Sequence, residues 1–177
     1  MANTQRRKLI KKLLGKFFLV SFLISPSMAA SSTLKNGIKK RNVDQIVVWK
    51  SKRRLTLFSN NKPVKSFIIR LGFNPVGPKI KEGDGRTPEG NYWITHKNPD
   101  SAFHKSLGIS YPNSNDKILA KSHGVLPGKD IFIHGGPKNF FKHLLFDWTE
   151  GCIAVTNSEI DEIYEMVSVN TPIHITS

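Results

Sequence analysis

Short apolar runs cut by turn-forming residues set the limits on what this chain can fold into. From Asp44 onward, Ile46 to Trp49, then Leu55, Leu57 and Phe58, then Val64, Phe67, Ile68, Ile69 and Leu71 form three runs rich in β-branched and aromatic residues. Ser59 to Pro63 (S-N-N-K-P) separates the last two, so the three read as a β-meander. Further strands are expected at Asn91–His96, at Asp130–His134 and, closing the chain, at Pro172–Thr176. One helix stands out. Thr156 and Glu159 have capping-box spacing, and Ile160, Ile163, Tyr164 and Val167 follow at helical intervals.

Between these elements the chain is less regular. Asn74 to Gly90 is dense in glycine and proline and reads as a long surface loop. It lacks the Gly-Lys-Ser/Thr ending and following helix of a phosphate-binding loop. Residues 98 to 129 are mixed and polar, with a turn at Ser110 to Asn113, and are candidates to line a cleft. There are no internal repeats.

The first 29 residues look like a secretory signal. Arg6, Arg7, Lys8, Lys11, Lys12 and Lys16 form a basic head, Phe17 to Ile24 an apolar run, and Pro26 to Ala29 a helix break with small residues. The apolar run is far shorter than the roughly 20 residues that span a bilayer, so no stable membrane span is expected. A cut after Ala29 leaves 148 of the 177 residues, a length that suits one domain. Residues 30–42 read as a flexible basic lead, and residues 43–177 as the domain itself. Removing the six basic residues of the leader from a formal net charge of +14 leaves about +8. An exported basic protein meets anionic envelope polymers rather than nucleic acid, and a merely solvated basic surface fits the charge as well.

Cys152 is the only cysteine and so cannot form an internal disulfide. In an oxidising compartment a free thiol is a liability, which favours a functional reason for keeping it. It lies in D-W-T-E-G-C-I-A-V-T-N (Asp147 to Asn157), downstream of the pair His134-Gly135. Free cysteine has a pKa of about 8.5 and needs a base beside it to act as a nucleophile, and His134 is the candidate. Gly151 permits a tight turn that can aim the Gly151 and Cys152 amides at one point as an oxyanion hole. The Gly135 carbonyl, next in the chain, is a candidate to accept the second imidazole N–H. A core cysteine and a buried structural histidine are the bland alternatives.

These residues resemble the L,D-transpeptidase catalytic domain family (YkuD-type). Its motif is His-Gly, a gap of roughly seventeen residues, then Ser/Thr-His-Gly-Cys, and here His134-Gly135 and Thr149-Glu150-Gly151-Cys152 hold those places. The likeness runs from about Val43 to Ile175 and includes Gly83 to Gly90 (G-D-G-R-T-P-E-G) and Ile109 to Asn113 (I-S-Y-P-N), and the string around Cys152 is similar to that of one branch. The resemblance implies a mainly β domain of sandwich or barrel-like form with a few short helices, acting outside the cytoplasm on peptidoglycan stem peptides. It implies Cys152 as nucleophile through a thioester, His134 as base and acid, Gly135 as carbonyl orienter, and Gly151 and Cys152 as amide donors. No metal or organic cofactor is implied, and no histidine pair has H-E-x-x-H spacing.

Two positions depart from the pattern. The histidine usual before Gly-Cys is Glu150, and the arginine common two residues after the cysteine is Ala154. A carboxylate facing the thiol would oppose thiolate formation, so Glu150 is expected to face solvent or a substrate ammonium group. Arg86, Tyr111 and Trp148 are weaker substrate-contact candidates. Ser122-His123-Gly124-Val125 mimics the motif but has Val125 where sulfur is required, and is read as a turn after a strand. Three functions stay open: transpeptidation, hydrolysis on the same thioester path (carboxypeptidase, or amidase releasing a wall-linked lipoprotein), and non-enzymatic wall binding.

Overall fold

In the computed structural model, which describes residues 42–136, 141 and 147–177, eight strands join in one sheet. The leader, and the basic lead apart from Asn42, lie outside the described residues, which all fall in one compact unit, Ile38–Ser177. Among the described residues no helix is long and apolar enough to cross a membrane.

The meander appears as β1 (Gln45–Trp49), β2 (Arg54–Ser59) and β3 (Lys62–Ile68), paired antiparallel in sequence. β1 alternates in burial, with Ile46 and Val48 fully inside, and Leu55 and Leu57 of β2 join them. Each such side chain contributes about 1.5–3 kcal/mol by leaving water. The long strand β4 (Gly90–Ser101) and β5 (His104–Ile109) form a hairpin, the helix α1 (Ser114–Ser122) follows, and β6 (Phe132–His134) and β7 (Ile153–Ala154) precede a further helix, α2 (Asn157–Met166). The last strand, β8 (Pro172–Thr176), enters between β1 and β4, parallel to the first and antiparallel to the second.

The sheet order is β3-β2-β1-β8-β4-β5-β6-β7. β4 changes partner along its length, pairing with β8 over Gly90–Trp93 and with β5 from Ile94, where its register shifts twice. Such bulges bend a strand and turn a sheet. The bend brings the far edge round: the chain just past β3 meets β7 and the loop before it, as Arg70 bridges Ala154 and Gly72 bridges Thr149. Four backbone hydrogen bonds of 2.8–3.1 Å make this seam. The result is barrel-like.

α2 begins where its capping box predicts. Thr156 caps it reciprocally with Glu159, and Ile160 and Ile163 are fully buried as it packs on β5 and β6. β5 and α1 lie in the stretch where periodicity is silent. α1 is held by its own capping box, Asn113 with Asp116, and the Asp116 carboxylate accepts the Tyr92 hydroxyl. His123 therefore ends a helix, correcting the expected turn after a strand.

One ion pair ties the seam to the meander. Asp147 takes the Arg53 Nε and Nη2 at 2.9 and 2.6 Å and also accepts the Leu71 amide at 2.8 Å. Two donors of one guanidinium on a mostly buried carboxylate hold direction as well as charge. Asp147→Ala is expected to cost about 2 kcal/mol in urea unfolding. Arg53→Ala should cost less, because its guanidinium can turn to solvent, and the double variant should fall short of the sum of the two. Additive losses would show the pair to be uncoupled.

Candidate active site

β6 and β7 run parallel, with Ile133 opposite Ile153 and His134 opposite Ala154. Side chains alternate along a strand, and facing residues of a pair share a side. Ile133 and Ile153 both point inward and are fully buried, so His134 and Cys152 fall together on the other face. Strand spacing alone sets their backbones about 8 Å apart, a gap that two side chains reach across. Both line a cleft of about 610 Å³ with Phe103, Asp130, Trp148, Thr149 and Glu150 among its walls.

The imidazole is fixed from two directions. His134 Nδ1 lies 2.6 Å from the Gly135 carbonyl oxygen. A carbonyl can only accept, so Nδ1 carries a proton, and in the neutral ring Nε2 is then the nitrogen with the lone pair. Phe103, at the tip of the β4–β5 hairpin, stacks on the ring at 4.6 Å and 29°, and the Gly135 amide donates to the Phe103 carbonyl at 3.1 Å. A Cβ on Gly135 would meet that oxygen at 2.6 Å, so glycine is required there. Trp148 packs edge-on to His134 at 5.7 Å and tilted against Phe103 at 5.8 Å.

The thiol is held in its protonated form. Cys152 Sγ donates to the Asp130 carbonyl at 3.6 Å. Burial pushes the Cys152 thiol up to about 11; the Phe132 amide and the positive charge of Lys79 pull the other way, and the acids Asp130 and Glu150 add to the rise. At pH 7 that leaves a thiolate fraction of about 1 in 10⁴, so the sulfur needs a base at the moment of attack.

Gly151 shapes the turn before the thiol. Its φ is +129°, and a Cβ there would stand 2.6 Å from the Arg86 carbonyl oxygen. Its amide, expected to face an oxyanion, donates instead to Thr149 Oγ1 at 3.2 Å, and Thr149 Oγ1 donates to the Cys152 carbonyl at 2.7 Å. Thr149 thus closes the Thr-Glu-Gly-Cys turn on itself.

The other expected contacts divide. Glu150 is exposed at the cleft wall and Trp148 lies within it. Tyr111 is buried, its hydroxyl donates to the Pro127 carbonyl at 2.7 Å, and it does not line the cleft. Arg86 lines a different cavity, shared with His123. Sequence reading missed Phe103 and Thr149: a hairpin tip carries no local signal, whereas Thr149 sat inside the motif and only its two hydrogen bonds reveal its work. No cluster of three or more His, Cys, Asp or Glu able to hold a metal occurs among the described residues.

Comparison with known proteins gives a consistent answer. The family model for the L,D-transpeptidase catalytic domain (YkuD) matches residues 44–175. YafK of Escherichia coli K12, a candidate L,D-transpeptidase, is 32% identical over 129 residues, covering 70% of this chain and 46% of its own. The chain thus spans about half the length of the curated relatives it matches. The helical cell shape determining protein Pgp2 of Campylobacter jejuni superposes with a TM-score of 0.61 at 25% identity, over 77% of this chain and 48% of that one. The L,D-transpeptidase of Mycobacterium smegmatis shares the fold, with a TM-score of 0.51 at 14% identity over 75% and 58%.

Two measurements probe this geometry. Alkylation of the resting enzyme by iodoacetamide should still be accelerating at about pH 10, since the thiol loses its proton only as pH approaches the raised value. A plateau near neutrality would mean a thiolate at rest. Gly151→Ala should cost about 1–3 kcal/mol in urea unfolding, from the left-handed backbone and the Arg86 clash. Unchanged stability would mean the turn relaxes freely.

Proposed function

The chain belongs to the L,D-transpeptidase catalytic domain family, and on that premise we propose that it is an exported cysteine acyltransferase of peptidoglycan stem peptides. The observation that carries this reading is the pairing of β6 with β7, which brings an imidazole held through Nδ1 by a backbone carbonyl and a lone thiol to the walls of one cleft. The leader-like residues 1–29 and the basic surface support action in the cell envelope.

In the proposed step, His134 Nε2 takes the thiol proton as Sγ attacks the amide carbon that follows the L-centre of diaminopimelate in a tetrapeptide stem. The carbon–sulfur bond forms, and charge on the carbonyl oxygen falls to the Cys152 amide. The amide carbon–nitrogen bond then breaks, and D-alanine leaves with the proton held by His134. An amine of a second stem attacks the thioester, gives a proton to His134, and expels the sulfur, which recovers it. Water in place of that amine yields a shortened stem or a released lipoprotein by the same path.

Glu150 in the family's histidine position supports an amine-bearing second substrate, because a carboxylate at the cleft wall attracts an ammonium group. That contact is weak at an exposed site and sets preference rather than chemistry.

Incubation with tetrapeptide muropeptides, followed by mass spectrometry, should detect D-alanine loss with formation of a 3-3 linked dimer. Shortening without dimer would assign hydrolysis. Intact mass after carbapenem treatment should gain one adduct, absent in Cys152→Ala and formed at least about 100-fold more slowly in His134→Ala. A folded wild-type enzyme, with reduced thiol, that gives neither product nor adduct would overturn the reading.

A further inference from the structure

Two residues singled out in the sequence, Arg86 and His123, find no place in the catalytic cleft, yet the fold brings them to one cavity. It measures about 440 Å³ and lies between the Gly/Pro-rich loop and the end of α1. Lys81 and Asn74 add polar groups, while Ile80 and Val125 provide apolar wall.

The charge of this cavity is positive. Its one acid, Asp84, is consumed internally: it pairs with Lys79 at 2.8 Å and accepts the amides of Ile80, Lys81 and Arg86 at 2.8–3.0 Å. Those bonds hold its carboxyl below the usual carboxylate range despite burial, so it stays ionised and balanced by Lys79. Among the described residues Arg86 makes no ion pair, and its guanidinium has one long contact, 3.4 Å from Nη1 to the Pro78 carbonyl. Four of five guanidinium donors remain for a ligand. A planar fork beside a lysine suits a bidentate oxyanion, and the apolar wall of Ile80 and Val125 favours a carboxylate carried on a small aliphatic group over a bare phosphate.

This cavity is one backbone away from the thiol. The Arg86 carbonyl packs against the Gly151 turn, while the Arg86 side chain lines the second cavity. We propose that this cavity binds the free C-terminal carboxylate of a peptide ending in a small aliphatic residue, with Arg86 as principal donor and Lys81 in support. Resting on the function proposed above, that peptide is a stem other than the one under attack, held by its acidic end behind the catalytic turn.

The test is by binding alone. Alanyl-alanine and its C-terminal amide are titrated into ¹⁵N-labelled Cys152→Ala protein, and amide shifts are followed by NMR. The acid should move the amides of Lys81, Arg86, His123 and Val125 and bind at least about tenfold tighter than the amide. Arg86→Gln should lose about tenfold in affinity, Arg86→Lys should recover part of it, and near-ultraviolet circular dichroism should show both folded. Equal binding of acid and amide, wild-type affinity in Arg86→Gln, shifts confined to the His134 cleft, or no binding at all would each overturn the proposal. Carbapenem adduct formation by the wild type reads the thiol separately, so loss of this site leaves the reaction standing.

Discussion

The parallel pairing of β6 with β7 is the constraint on which the rest depends. It is short, five residues in all, yet its register decides that two isoleucines enter the core and that His134 and Cys152 share the opposite face. A slip of one residue would exchange those faces. The fold guards against the slip from both sides. β5 fixes His134 opposite Ser106, and the seam fixes Ala154 against Arg70, itself positioned by Asp147 and its hold on the Leu71 amide. Structure far from the cleft, in the β1–β2 turn that carries Arg53, is thereby coupled to the placement of the sulfur.

Electrostatics then divides the work. The thiol is kept neutral by burial and by acceptors around it, and the imidazole is kept in one tautomer by a single backbone carbonyl. A neutral pair costs less to hold in a partly dry cleft than a separated ion pair. A thiol held mostly protonated is also slower to oxidise, because the thiolate is the reactive species. Phe103 and Trp148 complete the arrangement by limiting how the ring can turn.

Much of this was legible beforehand. The meander, the capped helix α2 and the closing strand follow from alternation and from capping chemistry, which are local. His134 and Cys152 stood out because glycines, spacing and a single thiol coincide. Less visible was whatever depends on long-range pairing. β5 is a polar strand whose membership comes from the bend in β4, and α1 is short and anchored by Asp116 and Tyr92 rather than by an apolar stripe. Tyr111 and Arg86 looked like substrate contacts because polar or aromatic residues in loops often are. One proves to be a packing residue and the other turns to a second cavity. The Gly151 amide was assigned by its position, whereas Thr149, two residues earlier, competes for it.

The central claim is a proton on Nδ1 of His134 and a lone pair on Nε2, facing a neutral thiol. ¹⁵N NMR of histidine-labelled protein at pH 7 reads both ring nitrogens of His134 directly, with assignment by a His134→Gln variant. One protonated nitrogen, Nδ1, and one unprotonated imine nitrogen, Nε2, are expected, unchanged in Cys152→Ala. Two protonated nitrogens that become one when Cys152 is removed would reveal a resting imidazolium–thiolate pair and contradict the claim, as would a proton on Nε2 alone.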